Sequence, residues 1–176
     1  MKLFTYCPSC GSGDMHFDGI KELTCKDCSF TYYHNVAAAG GAILEHDGKI
    51  ILIRRNQEPG KGKLDLPGGF ADPDETAEEA IKREIREELN INVETLQYLG
   101  SFPNTYEYKG VCYRSCDLIF HAGIEAFPTH FDETEVQELV LLNPSEVPDD
   151  EIAFESIRRG LNLFRHLKSQ EKYRTK

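Results

Sequence analysis

Apolar residues on both sides of one acidic segment predict a fold of strands and helices. Strands are predicted at residues 36–44 and 50–55, joined by a hairpin turn at residues 46–49. Residues 56–63 contain one proline and two glycines and are expected to form an exposed loop. The acidic segment, residues 75–89, carries apolar residues at helical spacing. The first half of the chain therefore predicts a hairpin followed by a helix.

The second half of the chain predicts three more strands and a final helix. Residues 92–100, 111–120 and 136–142 have the apolar character of strands. Residues 101–110 are rich in aromatic side chains and are expected to form a loop, with an ordinary hairpin as the alternative. An amphipathic helix is predicted over residues 151–168. Its buried face comprises Phe154, Ile157, Leu161, Phe164 and Leu167. Together these elements predict an α/β sandwich with a mixed sheet.

The acidic helix is unusual because some of its acids lie on the apolar side. Asp74 offers a capping oxygen before the helix, and Asn90 tolerates the left-handed turn that ends one. At helical spacing, Glu84 and Glu88 fall within the apolar stripe and Glu87 lies at its edge. Carboxylates that face a core are costly to desolvate without a counter-charge, and their spacing brings all three to one point. Mg²⁺ or Mn²⁺ is the natural counter-charge for such oxygen ligands.

Composition and charge narrow the functional classes. With 176 residues, the chain fits one domain, or one domain with a small appendage. Its formal net charge of −10 opposes a broad electrostatic grip on nucleic acid, which needs a basic face. A small phosphate-bearing substrate stays compatible with this charge because bound metal ions reverse its sign locally.

Membrane association is not expected from the sequence. No stretch of about 18 apolar residues is present, and the first residues contain too short an apolar run for a signal peptide. We therefore expect a cytoplasmic location. In that reducing compartment the six cysteines are expected to be thiols or metal ligands rather than disulfides.

Four of the cysteines form two Cys-x2-Cys pairs near the start of the chain. Cys7 and Cys10 make the first pair, and Cys25 and Cys28 make the second after fourteen intervening residues. This spacing resembles a zinc ribbon, with redox-active or merely buried cysteines as the alternative. Four thiolates leave no open position on Zn²⁺, so this ion is expected to be structural. We predict a zinc ribbon at residues 1–34 and a second domain at residues 35–176.

The loop and helix together carry a family motif. Gly69, five residues, Glu75, seven residues and then Arg83-Glu84-Ile85-Arg86-Glu87-Glu88-Leu89-Asn90-Ile91 resembles the Nudix box, Gly-x5-Glu-x7-Arg-Glu-U-x-Glu-Glu-x-Gly-U, in which U is apolar. Only the last glycine departs from it. Asn90 stands there, and asparagine is the residue that best replaces glycine at positive φ.

The resemblance implies a Nudix fold over residues 35–176 and a role for each residue of the box. It implies that the carbonyl of Gly68 joins the metal shell and that Glu75 and Arg83 brace the loop against the helix. Glu87 and Glu88 are assigned to the metals. Glu84 is either a metal ligand or the general base. An acid from outside the helix usually completes such a site, and we expect it to be Glu135, with Glu133 and Glu138 as alternatives.

The resemblance also implies the reaction, hydrolysis of a nucleoside diphosphate linked to another group, with release of a nucleoside monophosphate. A four-cysteine ribbon ahead of the domain is similar to the arrangement in bacterial NADH pyrophosphatases. Those enzymes carry Ser-Gln-Pro-Trp where this chain has Ser101-Phe102-Pro103-Asn104. ADP-ribose or a nucleotide sugar is therefore as good a candidate substrate as NADH. The residues expected to contact the substrate are Arg54, Phe102, Tyr106 and Tyr108.

Two other interpretations use the same features. In one, the ribbon contacts nucleic acid and the Nudix domain senses a nucleotide without cleaving it. Net acidity and the intact set of box carboxylates count against this interpretation, although removal of a nucleotide cap from RNA fits the same chemistry. In the other, the ribbon is an interaction module that builds a homodimer.

Overall fold

The chain is described by a computed structural model that covers residues 4–174. Within that range the side chains of Tyr106 and of residues 171–174 are not described, and residues 1–3 of the predicted ribbon lie outside it. No helix in the described range is both long and apolar enough to cross a membrane.

A small three-stranded sheet forms the N-terminal part of the chain. Its strands are β1 (Met15–Phe17), β2 (Glu22–Cys25) and β3 (Thr31–Tyr33), and they pair antiparallel in that order. The buried apolar residues of this region are Cys7, Leu23 and Cys25. Because so few side chains are buried, the region needs a further source of stability, and metal binding is the usual one in segments of this size.

The larger sheet is mixed, as predicted. Its strands are β4 (Ala37–His46), β5 (Lys49–Arg55), β6 (Leu64–Asp65), β7 (Gln97–Tyr108), β8 (Val111–Gly123) and β9 (Val136–Leu142). They run in the order β6-β5-β4-β8-β7, and β9 pairs with β5. The pair β4 and β8 is parallel, whereas the other pairs are antiparallel.

Two helices cover the two faces of this sheet. Helix α1 (Ala77–Leu89) packs on a core that includes Ala42 and Leu44, and helix α2 (Glu155–Arg174) packs on a second core that includes Ile43. These three residues follow one another along β4, so the alternation of side chains in a strand feeds both cores. The α/β sandwich predicted from the sequence is therefore confirmed.

Helix α1 begins two residues later than predicted. Thr76, rather than Asp74, is the N-cap, because Thr76 and Glu79 form a reciprocal capping box. Asp74 has φ 70°, a left-handed conformation, whereas an N-cap residue is normally extended. The predicted end is correct, since Asn90 caps the helix with φ 53°.

Two other segments also depart from the prediction. Residues 101–110 are mostly strand rather than loop, because β7 continues to Tyr108 and the chain reverses at Lys109 and Gly110, both with positive φ. Helix α2 starts at Glu155 rather than residue 151, after two short 3-10 turns, Pro144–Glu146 and Asp149–Glu151. In its predicted buried face, Leu167 is instead 36% exposed.

Candidate functional site

The four ribbon cysteines converge on one point. Their Sγ atoms all lie within 4.8 Å of one another, with Cys7 to Cys28 at 3.6 Å and Cys10 to Cys25 at 3.7 Å. A tetrahedron of thiolates around Zn²⁺, with Zn–S of about 2.3 Å, has edges of about 3.8 Å. The predicted cysteines therefore fit a closed, four-thiolate zinc site.

Two thiols of this cluster, those of Cys7 and Cys10, have pKa values shifted in opposite directions. Burial opposes ionisation of Cys7, but hydrogen bonds, led by those from the backbone of Cys10 and Ser9, bring the pKa of its thiol down to about 7. The pKa of the Cys10 thiol is raised to about 12, since the favourable backbone hydrogen bond from Ser12 is outweighed by the neighbouring thiols and burial. Such a cluster is poised to bind a cation and to release protons as it does so.

A second site is built where residues 67–70, the glycine loop, cross the start of β4. The amide of Gly40 donates to the carbonyl of Gly69 at 2.9 Å, and Ala42 donates to the carbonyl of Pro67 at 3.0 Å. Gly68 has φ 146°, and a Cβ there would lie 2.2 Å from the Gly40 carbonyl oxygen. Only glycine allows the loop to lie this close to the strand.

The glycine loop is also fixed to helix α1. A Cβ on Gly69 would lie 2.6 Å from the carboxylate of Glu84, so the loop and this acid are in direct contact. Arg83 makes two hydrogen bonds to Glu75, at 2.8 and 3.0 Å, and donates to the carbonyl of Phe70 at 3.0 Å. The contacts of Glu75 and Arg83 thus tie the loop to the helix.

Glu88 is the most buried acid of this site. It is 5% exposed and accepts a hydrogen bond from the Gly68 amide at 2.8 Å. Burial raises the pKa of Glu88 well above its ordinary value, and the charges of Glu84, Asp65 and Glu135 add to this rise. The carboxylate is thus buried among like charges, and within the described part of the chain the Gly68 amide is its one hydrogen-bond donor.

Four acids, which we call the acidic cluster, lie near the C-terminal end of helix α1. They are Glu84, Glu87, Glu88 and Glu135. Burial raises the pKa of Glu84 although Arg83 opposes the shift, and the charges of Glu87 and Glu135 contribute to the rise. Glu87 has a side chain 57% exposed and is joined to Arg83 at 3.0 Å. Among the described residues, the four cysteines are the one group of three or more ligand atoms close enough together to hold a metal ion, so the carboxylates of the acidic cluster lie farther apart from one another.

The acidic cluster fits a hard divalent cation. All of its side chains offer oxygen ligands, which Mg²⁺ and Mn²⁺ prefer. Its net charge is negative, although Arg83 forms ion pairs with Glu84 and Glu87. Glu135 joins from the segment before β9, where its backbone carbonyl accepts from Asn56 at 2.7 Å. The alternative acid Glu138 is instead paired with Arg54 at 2.6 Å.

A cleft of about 270 Å³ opens beside the glycine loop. Arg55 is the one cationic side chain among the described residues that line it, and it is held by Asp65 at 2.7 Å, by the Pro59 carbonyl at 2.9 Å and over the Phe154 ring at 5.0 Å. Burial raises the pKa of Asp65 to about 6, against the attraction of Arg55. The rest of the lining includes Phe70, Asn104, Tyr108, Ser115 and Asp117.

The residues predicted to contact substrate are distributed unevenly around this cleft. Tyr108 lines it and is 40% exposed, whereas the Tyr106 side chain lies outside the described part of the chain. Arg54 does not line the cleft, and its guanidinium instead binds Glu138 at 2.6 Å and the Gly62 carbonyl at 2.8 Å. Phe102 packs against the core beneath α2 with Arg159 over its ring at 4.8 Å.

Three polar residues that line the cleft were not identified from the sequence, namely Arg55, Ser115 and Asp117. Arg55 lines the cleft and Arg54 does not, and the two residues lie where the register of β5 against β9 shifts. Ser115 and Asp117 share one face of β8 and are both buried. The signal available in the sequence was two polar residues at i and i+2, which share one face of the strand and precede its apolar run Leu118–Phe120.

Comparison with known proteins agrees with the motif. Residues 34–160 match the NUDIX domain family. The chain is 45% identical over 71 residues to an ADP-ribose pyrophosphatase of Methanocaldococcus jannaschii, covering 40% of this chain and 41% of that protein. It is 27% identical over 147 residues to a NAD-capped RNA hydrolase NudC of Pseudomonas fluorescens, covering 81% of this chain and 49% of that protein. The chain thus spans less than half the length of these curated relatives.

Solved structures show the same architecture. A NUDIX hydrolase from Nitrosomonas europaea superposes with a TM-score of 0.64 at 26% identity, covering 90% of this chain and 88% of that one. The family match takes in the glycine loop, helix α1 and all six strands of the larger sheet. The chain therefore belongs to the NUDIX domain family.

Proposed function

We propose that this protein hydrolyses the diphosphate linkage of a nucleoside diphosphate derivative and releases a nucleoside monophosphate. The observation that carries the proposal is the position of the acidic cluster and the glycine loop at one end of a cleft with aromatic walls. Acids suited to a divalent cation stand beside a space suited to a planar base and its sugar. This arrangement matches a substrate with phosphates at one end and a nucleoside at the other.

Glu84, Glu87, Glu88, Glu135 and the carbonyl of Gly68 are the proposed ligands of Mg²⁺ or Mn²⁺. When bound, such an ion supplies positive charge that stabilises the negative charge developing on the diphosphate. Arg83 holds Glu84 and Glu87 in place through its Nη1 atom, at 2.8 and 3.0 Å. Glu84 is the proposed general base if it is not a ligand, because its raised pKa suits proton abstraction from water.

The substrate candidates follow from the relatives and from the cleft. ADP-ribose and a NAD-type cap on RNA are the groups that the relatives' names supply. Tyr108 is the proposed stacking partner for the base, and Arg55 takes the place we had expected for Arg54. A basic face that would hold the body of an RNA is not expected for a chain of net charge −10, so small dinucleotides come first.

The division into a zinc ribbon at residues 1–34 and a catalytic domain at residues 35–176 is part of this proposal. The ribbon stabilises its own segment through Zn²⁺ and carries more acidic than basic side chains, which disfavours nucleic acid as its partner. Homodimer formation through the ribbon and a cytoplasmic location complete the proposal.

A substrate panel tests the function directly. The purified protein is incubated with Mg²⁺ or Mn²⁺ and with NADH, ADP-ribose, nucleotide sugars or NAD-capped RNA, and products are identified by mass spectrometry. We expect a nucleoside monophosphate from at least one substrate and none after chelation of the divalent ion. Tight binding of these nucleotides with no product from any of them would overturn the proposal in favour of a nucleotide sensor. Size measurement before and after zinc removal tests the dimer.

A further inference from the structure

The floor of the cleft holds a buried group that the diphosphate chemistry leaves unused. Asp117 on β8 is 6% exposed, and Ser115 on the same strand is 3% exposed. Both line the cleft. Ser115 Oγ donates to Asp117 Oδ1 at 2.5 Å, and Ser156 Oγ of helix α2 donates to Asp117 Oδ2 at 2.5 Å. Each carboxylate oxygen therefore accepts one serine hydroxyl.

Because both serine hydroxyls donate to Asp117, the side chains of Ser115 and Asp117 can offer the cleft hydrogen-bond acceptors but no donor. A serine hydroxyl that gives its proton to Asp117 presents its lone pairs elsewhere, and each carboxylate oxygen retains a second acceptor position. The nearby Asp65 also lines the cleft and is 5% exposed, with the Asp117 charge contributing to the rise in its pKa. Such a floor repels phosphate and suits a neutral O–H or N–H group.

The other residues that line the cleft indicate which part of a substrate carries that hydrogen-bond donor. Phe70 and Tyr108 line the cleft and are 42% and 40% exposed, so two aromatic side chains form part of its wall. The ammonium group of Lys109 lies 5.0 Å from the centroid of the Tyr108 ring. Phe154 closes a further side under the Arg55 guanidinium. The Gly68 and Gly69 end of the cleft adjoins the acidic cluster. A nucleotide with its phosphates at that end places its nucleoside over Ser115 and Asp117.

We propose that Ser115 and Asp117 are specificity-determining residues that accept a hydrogen bond from a neutral donor on the bound nucleoside, either a ribose hydroxyl or an exocyclic amine. This inference rests on the proposed function and specifies which part of the substrate the cleft recognises. A nucleotide that lacks the donor leaves the remaining acceptor positions of Ser115 and Asp117 without a partner. Loss of a hydrogen bond to a charged group of this kind is expected to lower kcat/KM about tenfold to hundredfold.

A purely structural role predicts something different. Through Ser156, Asp117 links strand β8 to the first turn of helix α2, and this link helps to dock the helix. Ser156 is 0% exposed and is not among the residues that line the cleft. Ser156→Ala therefore removes a serine hydrogen bond to the same carboxylate from the side remote from substrate. It is the matched control for Ser115→Ala.

The experiment compares ADP-ribose with two analogues, one with hypoxanthine in place of adenine and one with a 2′-deoxyribose next to adenine. kcat/KM is measured for the wild type, Ser115→Ala, Asp117→Asn and Ser156→Ala, and calorimetric Kd values for the same nucleotides are measured in parallel. Melting temperatures show whether each variant is folded. Asp117→Asn keeps the shape of the side chain and one oxygen acceptor.

The wild type is expected to prefer ADP-ribose over one analogue by about tenfold or more, and the analogue affected identifies the donor as amine or hydroxyl. Ser115→Ala and Asp117→Asn should reduce that preference to near unity, while Ser156→Ala retains it. Equal preference in all four proteins would overturn the inference even if ADP-ribose is hydrolysed, as would equal loss in Ser156→Ala. If the wild type hydrolyses nothing, the proposed function fails, and the Kd values alone decide the inference by the same criteria.

Discussion

Replacement of Glu88 by glutamine should make the metal-free protein more stable and the enzyme inactive. The carboxylate is 5% exposed, and its pKa is raised by burial and by the charges of Glu84, Asp65 and Glu135. Glutamine has nearly the same shape and keeps an oxygen for the Gly68 amide, which now donates to that carboxylate at 2.8 Å. The substitution therefore removes charge with little change in packing.

The size of the effect follows from two opposing changes. A hydrogen bond to a neutral acceptor contributes about 1 kcal/mol less than one to a carboxylate, so the Gly68 contact weakens by about that amount. Relief from an uncompensated buried charge contributes about 1–3 kcal/mol or more in the other direction. We expect a net gain of about 1–2 kcal/mol at neutral pH, which raises the melting temperature by about 2–8 °C in a protein of this size.

The stability gained by Glu88→Gln should depend on pH. Because the pKa of Glu88 is raised in the folded state, that state binds the proton more tightly than the unfolded chain. The cost of ionised Glu88 therefore appears as the pH rises above the ordinary carboxyl range and disappears on acidification. The stability difference between Glu88→Gln and the wild type should shrink as the pH is lowered.

The assay is a thermal melt in chelator at several pH values, paired with turnover in Mg²⁺ or Mn²⁺. Glu87→Gln is the matched control, because its parent side chain is 57% exposed and its removal should leave the metal-free melting temperature within about 2 °C. Both variants should lose at least about a hundredfold in kcat, since each removes a proposed metal ligand. A less stable Glu88→Gln protein, or one with wild-type turnover, would refute the assignment of this acid.

Three further predictions concern the ribbon, the helix cap and the metal. Chelation should release about one Zn²⁺ per chain, as measured by metal analysis. Hydrogen exchange should then show that amides in residues 4–34 lose their protection while those in residues 37–160 keep it. Simultaneous loss of protection in both parts would contradict independent domains. Thr76→Ala removes the N-cap and should cost about 1 kcal/mol in denaturant unfolding, with Thr76→Ser close to the wild type. Because the pKa values of Glu84 and Glu88 are raised, protons compete with metal there. Calorimetry should therefore show Mn²⁺ binding that strengthens from about pH 6 to about pH 8, and a pH-independent Kd would count against both ligands.

Local patterns with a single physical meaning could be predicted from the sequence. The two Cys-x2-Cys pairs predicted a cluster whose sulfurs lie 3.6 and 3.7 Å apart in two pairs. The helical placement of Glu88 inside an apolar stripe predicted a buried acid, and the structure buries it. Asn90 predicted the left-handed end of the helix. In each case one local rule decides the conformation, with no competing rule nearby.

Choices between near-equivalent neighbours could not be predicted. Asp74 and Thr76 are both good caps, and the reciprocal bond from Glu79 to Thr76 decides between them. Arg54 and Arg55 are identical in type, and the pairing of β5 with β6 and β9 decides which one reaches the cleft. Asp117 meets Ser156 only through the fold, since the two residues are 39 positions apart in the sequence. Contacts between residues far apart in the sequence therefore decide which side chains reach the cleft.

Charge in the cleft links the acids of helix α1 to the choice of substrate. Of the described residues that line the cleft, Arg55 alone is cationic, and Asp65 at 2.7 Å neutralises much of its charge. A diphosphate brought there meets Asp65 and Asp117 on the floor and the acidic cluster at one end. Its attraction must then come from cations that bind with it, and those are the cations the acidic cluster suits. Under the proposed function, the same acids that make the metal-free site costly also make phosphate binding conditional on metal, and the proposed role of the floor is to recognise the uncharged nucleoside.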